Sequence, residues 1–272
     1  MIWRRLRANE RRGWRRALLE IEWRKMRRAE AEACRRARLT LAVSPQDQSL
    51  LQALAPRAAI RAIPTGVDVD YFAPRDEEVN EDELVYVGSM DWQPNEDGVL
   101  HFIDAILPII RRARPRAALT VVGRNPSGRL RQAADAAGVR VTGTVEDVRP
   151  HVAAAAAMVV PLRVGGGTRL KIFEGLAMGK AVVSTTIGAE GLPLEDGVHF
   201  LRADRPEDFA AAVLRLLDDG GLRRRLGEAG RRLVEERYGW QRVALQFEDL
   251  LESALEAPAP AAPAASAAPL ND

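Results

Sequence analysis

Gly165-Gly166-Gly167-Thr168-Arg169-Leu170-Lys171-Ile172-Phe173-Glu174-Gly175-Leu176-Ala177-Met178-Gly179-Lys180-Ala181-Val182-Val183-Ser184 decides the fold of this chain. A short apolar strand at residues 158–161 leads into it. The stretch then predicts a glycine-rich turn, a helix over 168–178 and a second apolar strand over 181–185. Three successive glycines permit a close backbone approach, and the following helix aims its unpaired N–H groups at the turn. Such a turn suits an anion, and the helix dipole adds to the attraction. Arg169 and Lys171 bring two cations to the same first turn. Glu174 lies one helical step further, where a carboxylate can accept hydrogen bonds from sugar hydroxyls. Phosphate at the turn and ribose at the carboxylate together point to a nucleotide.

Outward from this stretch, strands and helices alternate. Strands are expected at 84–88, 119–123, 139–142 and 199–202. Helices are expected at 96–113, 127–137, 148–156, 206–217, 221–237 and 241–255. This alternation implies βαβ units, a parallel sheet and an α/β fold, whose ligands bind beyond the carboxyl ends of the strands. Gly88, Gly123, Gly143 and Gly165 all follow strands and so fall on that edge. Nearer the N-terminus, residues 1–38 predict one long helix. Short strands follow at 39–44 and 59–63, with a helix to about residue 54 between them, capped by Ser44 and begun by Pro45. The acidic stretch 76–83 is expected to be a solvated connector. The Ala/Pro-rich tail from Ala257 cannot build a core and is expected to be disordered.

Composition narrows the classes. A hydrophobic content of 47 % is ample for a core, and the net charge of +2 conceals an asymmetry. Residues 1–38 carry fourteen Arg and Lys against five Glu, whereas the remainder carries 26 basic against 33 acidic residues. The single cysteine, Cys34, precludes an internal disulfide and fits a reducing compartment. Apolar runs fall short of the ~18–20 residues needed to span a bilayer. The expectation is a cytoplasmic protein. The basic N-terminal helix carries Trp3, Trp14 and Trp23, which suits docking on an anionic membrane surface and hence peripheral attachment. A loose stripe that once packed on another domain explains the same residues equally well. Nucleic acid is not expected as a partner, since no recognition fold accompanies the charge.

Other motifs carry less. Gly123-Arg124-Asn125-Pro126-Ser127-Gly128 suggests a phosphate loop, but Arg129-Leu130 replaces the required Lys-Ser/Thr, so an ATPase is rejected. No G-x-G-x-x-G follows the first strand of the alternation. Asp68-Val69-Asp70 has a metal-binding spacing but sits in a crossover turn, and His101, His151 and His199 are scattered. No metal and no cofactor is expected.

The ordered motifs resemble the C-terminal, donor-binding half of GT-B glycosyltransferases of the retaining group 1, or family-4, class. The matching runs are Val87-Gly88-Ser89-Met90-Asp91-Trp92-Gln93-Pro94-Asn95, Val121-Val122-Gly123, Val141-Thr142-Gly143-Thr144-Val145-Glu146-Asp147-Val148-Arg149-Pro150, the glycine-rich stretch, and Gly188-Ala189-Glu190-Gly191-Leu192. Ala42-Val43-Ser44 and Ile63-Pro64-Thr65-Gly66-Val67-Asp68 resemble the end of the family's N-terminal domain and its crossover. The resemblance implies a Rossmann-like sheet in residues 76–256, a remnant of the acceptor domain in 1–75 and a tail from 257 to 272. It implies transfer of a sugar from a nucleotide-diphosphate sugar to a glycan or lipid-linked acceptor, as in surface-polysaccharide synthesis. Arg169 and Lys171, with the N–H groups of Gly167 and Thr168, would hold the diphosphate, and Glu174 the ribose. Gly88, Ser89 and Met90 would approach the donor, Thr144 and Val145 would lie along the base, and Glu190 and Gly191 would line the sugar. Two features depart from the pattern. Gly166 stands where the family often has a first glutamate, and most of the acceptor domain is absent. The rival expectation is therefore a catalytically silent nucleotide-sugar-binding module that acts with a partner or is a truncated gene product. A nucleotide-sugar epimerase would need acids and a histidine from the absent half.

Overall fold

The computed structural model describes residues 13–165 and 169–256. Helix α1 (Gly13–Arg36) leads into a small βαβ unit made of β1 (Thr40–Ala42), α2 (Pro45–Leu54) and β2 (Ile60–Ala62). The two strands are parallel, with Thr40 opposite Ile60. Cys34, Ala42, Ala55 and Ile60 form their shared core. Ser44 caps α2 as expected, its side chain accepting the N–H of Asp47 at 3.1 Å. The first twelve residues of the long N-terminal helix, and the tail from Ala257, lie outside the described residues.

The larger unit is a six-stranded parallel sheet. Its strands are β3 (Asn80–Val87), β4 (Ala118–Val122), β5 (Arg140–Val141), β6 (Ala155–Val160), β7 (Val182–Ser184) and β8 (Leu201–Arg202). They lie in the spatial order β5-β4-β3-β6-β7-β8. β3 therefore pairs with β4 on one side and β6 on the other. Strand order reverses there, and the switch opens a crevice beyond the carboxyl ends of β3 and β6.

Side chains alternate across this sheet as period two requires. Leu84, Tyr86, Ala157 and Val159 face one core, shared with Phe102, Ile106 and Phe209. Val85, Met158 and Val160 face the other, shared with Phe173, Val234 and Tyr238. Burial on both faces explains why these strands are almost continuously apolar. The helices covering them are α3 (Gln93–His101), α4 (Leu107–Ala113), α5 (Gly128–Ala136), α6 (Arg149–Ala154), α7 (Leu170–Ala177), α8 (Pro206–Asp218), α9 (Gly220–Arg237) and α10 (Trp240–Glu256).

Three expectations need correction. The acidic connector ends at Asn80, because β3 begins there and Asn80 already pairs with Ala155. Its charges are absorbed by partners: Arg114 donates to Asp82 at 2.5 Å, and Arg223 pairs with Glu81. Ala155 and Ala156, expected as the end of a helix over 148–156, are strand, like Ala157 after them. The run is wholly buried, and tertiary pairing with β3 overrides alanine's helix preference. The helix expected at 96–113 starts at Gln93 and is broken by a π-turn over Phe102–Ile106, where the N–H of Leu107 donates to Phe102 O. Pro108 follows after one intervening residue, and the turn accommodates a residue with no N–H to give.

After β2 the chain returns onto the end of α9. The N–H of Val67 donates to Tyr238 O at 2.8 Å, and that of Trp240 donates to Val67 O at 3.1 Å. No described helix is long and apolar enough to cross a membrane.

Candidate functional site

The crevice between β3 and β6 is built first by two glycines. Gly88 and Gly123 end adjacent strands back to back, and a side chain on Gly123 would run into the Gly88 carbonyl. At Gly88 itself an added Cβ would lie 2.5 Å from Lys171 Nζ and 3.0 Å from Asn95 Nδ2. The space that sequence reasoning reserved for an approaching ligand is therefore taken by the Lys171 ammonium. Lys171 springs from the first turn of α7 and passes over Gly88 to donate to Tyr86 Oη at 2.9 Å and Asn95 Oδ1 at 3.0 Å. Tyr86 in turn donates to Asn95 Oδ1 at 2.8 Å, and Asn95 Nδ2 donates to Ser89 O at 2.8 Å. The ammonium also lies 4.4 Å from the centroid of the Tyr86 ring.

Arg169 stands at the N-cap of α7 and is only 7 % exposed. Its guanidinium lies over the backbone of Gly165, where any side chain would collide with it, and Gly165 has φ +152°. Lys171 lies close enough to both Arg169 and Glu174 to feel their charges. Burial lowers the Lys171 ammonium to about 7; Arg169 adds to this by repulsion and Glu174 opposes it. Burial raises the Glu174 carboxyl, with Lys171 opposing. Burial likewise raises the Tyr86 hydroxyl, with Arg169 opposing. Lys171 thus lies between a second cation and a carboxylate beyond the carboxyl ends of the switch-point strands. This arrangement can neutralise an anionic group and hold a neighbouring hydroxyl.

The other expected positions are distributed along the same edge. Ser89 donates to Asp91 Oδ1 at 2.6 Å and accepts from Arg124 Nε at 2.8 Å. Met90 is buried, and its N–H is donated to Arg124 O at 2.9 Å, so this residue supports the turn from within. Thr144 is exposed beyond β5, while Val145 packs on the core shared by Val85 and Val122. The turn carrying Glu190 and Gly191 is tied to the loop after β6 by Thr185, which donates to Leu162 O at 2.5 Å and accepts from Gly188 N at 2.8 Å. Gly191, at φ +80°, faces Ser44 and lines a cavity of about 260 Å³ with Phe173, Tyr238, Val43 and Pro45. Gly166, Gly167 and Thr168 lie outside the described residues.

Lys180, further along the same stretch, donates to Ala153 O at 2.5 Å and Ala155 O at 2.8 Å. Asp68 of the D-x-D run accepts from the N–H groups of Asp70 and Tyr71 at 3.1 and 2.8 Å and so closes its own turn. Tyr86 and Asn95 were missed as site residues. A tyrosine in an apolar strand and an asparagine after a proline both look structural, and their common partner is 85 and 76 residues away.

A doubly wound sheet with cationic side chains at its switch point is an α/β architecture whose ligands bind beyond the carboxyl ends of the strands. Comparison with known proteins narrows this. The family model for glycosyl transferases group 1 matches residues 81–219, and the chain belongs to that family. It is 27 % identical over 221 residues to the D-inositol 3-phosphate glycosyltransferase of Streptomyces bingchenggensis, covering 72 % of this chain and 48 % of the relative. It is 29 % identical over 213 residues to the GDP-mannose-dependent monoacylated alpha-(1-6)-phosphatidylinositol monomannoside mannosyltransferase of Corynebacterium glutamicum, covering 70 % of this chain and 55 % of the relative. The chain thus spans about half the length of these relatives. Among solved structures, sucrose-phosphate synthase from Thermosynechococcus elongatus superposes with a TM-score of 0.68 at 22 % identity, over 90 % of this chain and 63 % of that one. Anabaena HepE in complex with UDP and glucose gives 0.70 at 17 % identity, over 84 % and 66 %. These likenesses place the fold among GT-B glycosyltransferases.

Proposed function

We propose that this chain is the donor-binding half of a retaining hexosyltransferase that uses a nucleoside-diphosphate sugar. The observation that carries the proposal is the Lys171 ammonium and Arg169 guanidinium at the switch point, with Glu174 one helical turn on. In sugar transfer the bond to the diphosphate breaks and negative charge grows on the leaving group. Cations already aimed at that charge stabilise it without reorganising. Arg169 suits bidentate contact with a phosphate, and Lys171 acts as a point charge. Glu174 would accept from the ribose hydroxyls, Thr144 and Val145 would border the base, and Glu190 and Gly191 the sugar. Charge neutralisation falls to side chains, so EDTA should leave donor binding unchanged.

The acceptor would be a glycan or a lipid-linked glycan. One relative's name specifies a phosphatidylinositol mannoside, which supports a lipid-linked acceptor here. Exposed Trp14, Leu18 and Ile21 on basic α1 support contact with anionic lipid. Sedimentation with phosphatidylserine vesicles, but not with neutral ones, is the expected result. The second reading is a silent donor-binding module, in keeping with Gly166 at the position where the family often has a glutamate. Prolonged incubation with UDP-, GDP- and ADP-sugars separates the two. Slow release of free sugar with the donor's anomeric configuration supports the enzyme, whereas binding without release supports the module.

A further inference from the structure

We infer that Tyr86 and Asn95 are positioning residues that hold the Lys171 ammonium over Gly88 through neutral acceptors alone, so that donor binding is coupled to uptake of a proton at Lys171. This rests on the assignment of Lys171 to the diphosphate.

The geometry carries the inference. Lys171 has two hydrogen-bond partners among the described residues, a phenol oxygen at 2.9 Å and an amide oxygen at 3.0 Å. Neither is a carboxylate, so the cradle aligns the ammonium without neutralising it. The cradle is itself fixed: Tyr86 donates into the same Asn95 oxygen, and the Asn95 amide nitrogen is spent on Ser89 O. With no Cβ on Gly88, the ammonium can lie directly over the end of β3. Each element around it contributes a nameable group. β3 presents Tyr86, α3 presents Asn95, and α7 presents Arg169 at its cap and Glu174 on its next turn. Of the charged pair, Arg169 repels the ammonium and Glu174 attracts it, and burial outweighs both, leaving Lys171 near 7. A full salt bridge would keep the lysine charged at all physiological pH, but it would compete with an incoming phosphate. Neutral acceptors avoid that competition, and the anion then supplies the missing countercharge and raises the lysine's affinity for its proton.

The test is calorimetric titration of the chain with UDP between pH 7 and 9, above the terminal phosphate ionisation at about 6. With only Lys171 titrating, affinity should fall by up to about tenfold per pH unit across this window. Titrations at pH 8 in two buffers of different ionisation heat should reveal net proton uptake. Tyr86→Phe removes one acceptor of the charged form, so its affinity should be about tenfold weaker and start to fall at lower pH. Asn95→Asp is nearly isosteric and places a carboxylate against the ammonium. It should move the fall upward by a unit or more and reduce proton uptake at pH 8 to about half of the wild-type value or less. A purely structural role would alter melting temperature and leave both pH midpoints in place. If the wild type binds UDP with no pH dependence, or both variants keep its midpoint, the inference is overturned while the diphosphate site stands. If UDP, GDP and ADP all fail to bind at any pH, the diphosphate assignment fails and the inference fails with it.

Discussion

Arg169 and Lys171 differ in how the fold holds them, and their variants should separate accordingly. Arg169 is pinned over Gly165 at the helix cap, whereas Lys171 is suspended between two neutral oxygens. Arg169→Ala or Lys171→Ala should weaken nucleoside-diphosphate binding by about 10- to 100-fold, the range expected for hydrogen bonds to a charged group. Lys171→Met should also be more thermostable than the wild type at pH 7. The Lys171 proton is bound less tightly in the folded state, at about 7, than in the unfolded chain. The unfolded state therefore binds more protons between roughly 7 and 10.4, and wild-type stability rises with pH through that window. The advantage of Lys171→Met should shrink toward pH 10, as thermal melts in matched buffers would show. Gly123→Ala should destabilise by about 1–3 kcal/mol, since its Cβ would strike the rigid Gly88 carbonyl rather than a movable side chain. That Arg169, Lys171 and Glu174 fall near one another was legible in the sequence because their spacing at one short helix is local. Contacts with Tyr86 and Asn95 were not, because the lysine that these two residues meet comes from a distant element.

Among the elements, the strand–helix alternation was readable wherever flanking glycines and caps agreed with the apolar runs. Ser127 shows this. It accepts the N–H of Leu130 at 3.1 Å, and its hydroxyl donates to Glu96 Oε1 at 2.7 Å, tying α5 to α3. Ser127→Ala should cost about 1 kcal/mol in urea denaturation, as loss of a helix cap does. Reading failed where composition and environment disagreed. Ala155–Ala157 has a helical composition, but its pairing with β3 and complete burial make it strand. The start of β3 was hidden because Glu81 and Asp82 resemble solvated charge until Arg223 and Arg114, far along the chain, are seen to meet them. The π-turn before Pro108 could not be assigned from periodicity, which a proline disturbs without stating how the helix adjusts.

For the whole molecule, the sheet order brings the β3 turn at Gly88 against Lys171 in the first turn of α7, 83 positions further along the chain. Such a preformed site should stabilise the fold by mass action. UDP or another cognate diphosphate at a hundredfold excess over its Kd should add about 2.7 kcal/mol to unfolding, visible as a raised melting temperature. The N-terminal βαβ unit joins the larger sheet through Val67, Tyr238 and Trp240, and Gly66 lies so near Trp240 that a Cβ there would come within 2.9 Å of the indole. Of all these expectations, the most direct concerns the crevice itself. Isothermal titration of UDP, GDP and ADP into the wild type and into the Arg169→Ala/Lys171→Ala double variant should show one diphosphate binding the wild type stoichiometrically and no heat with the variant. Equal binding to both proteins would contradict the assignment of the crevice to a nucleoside diphosphate.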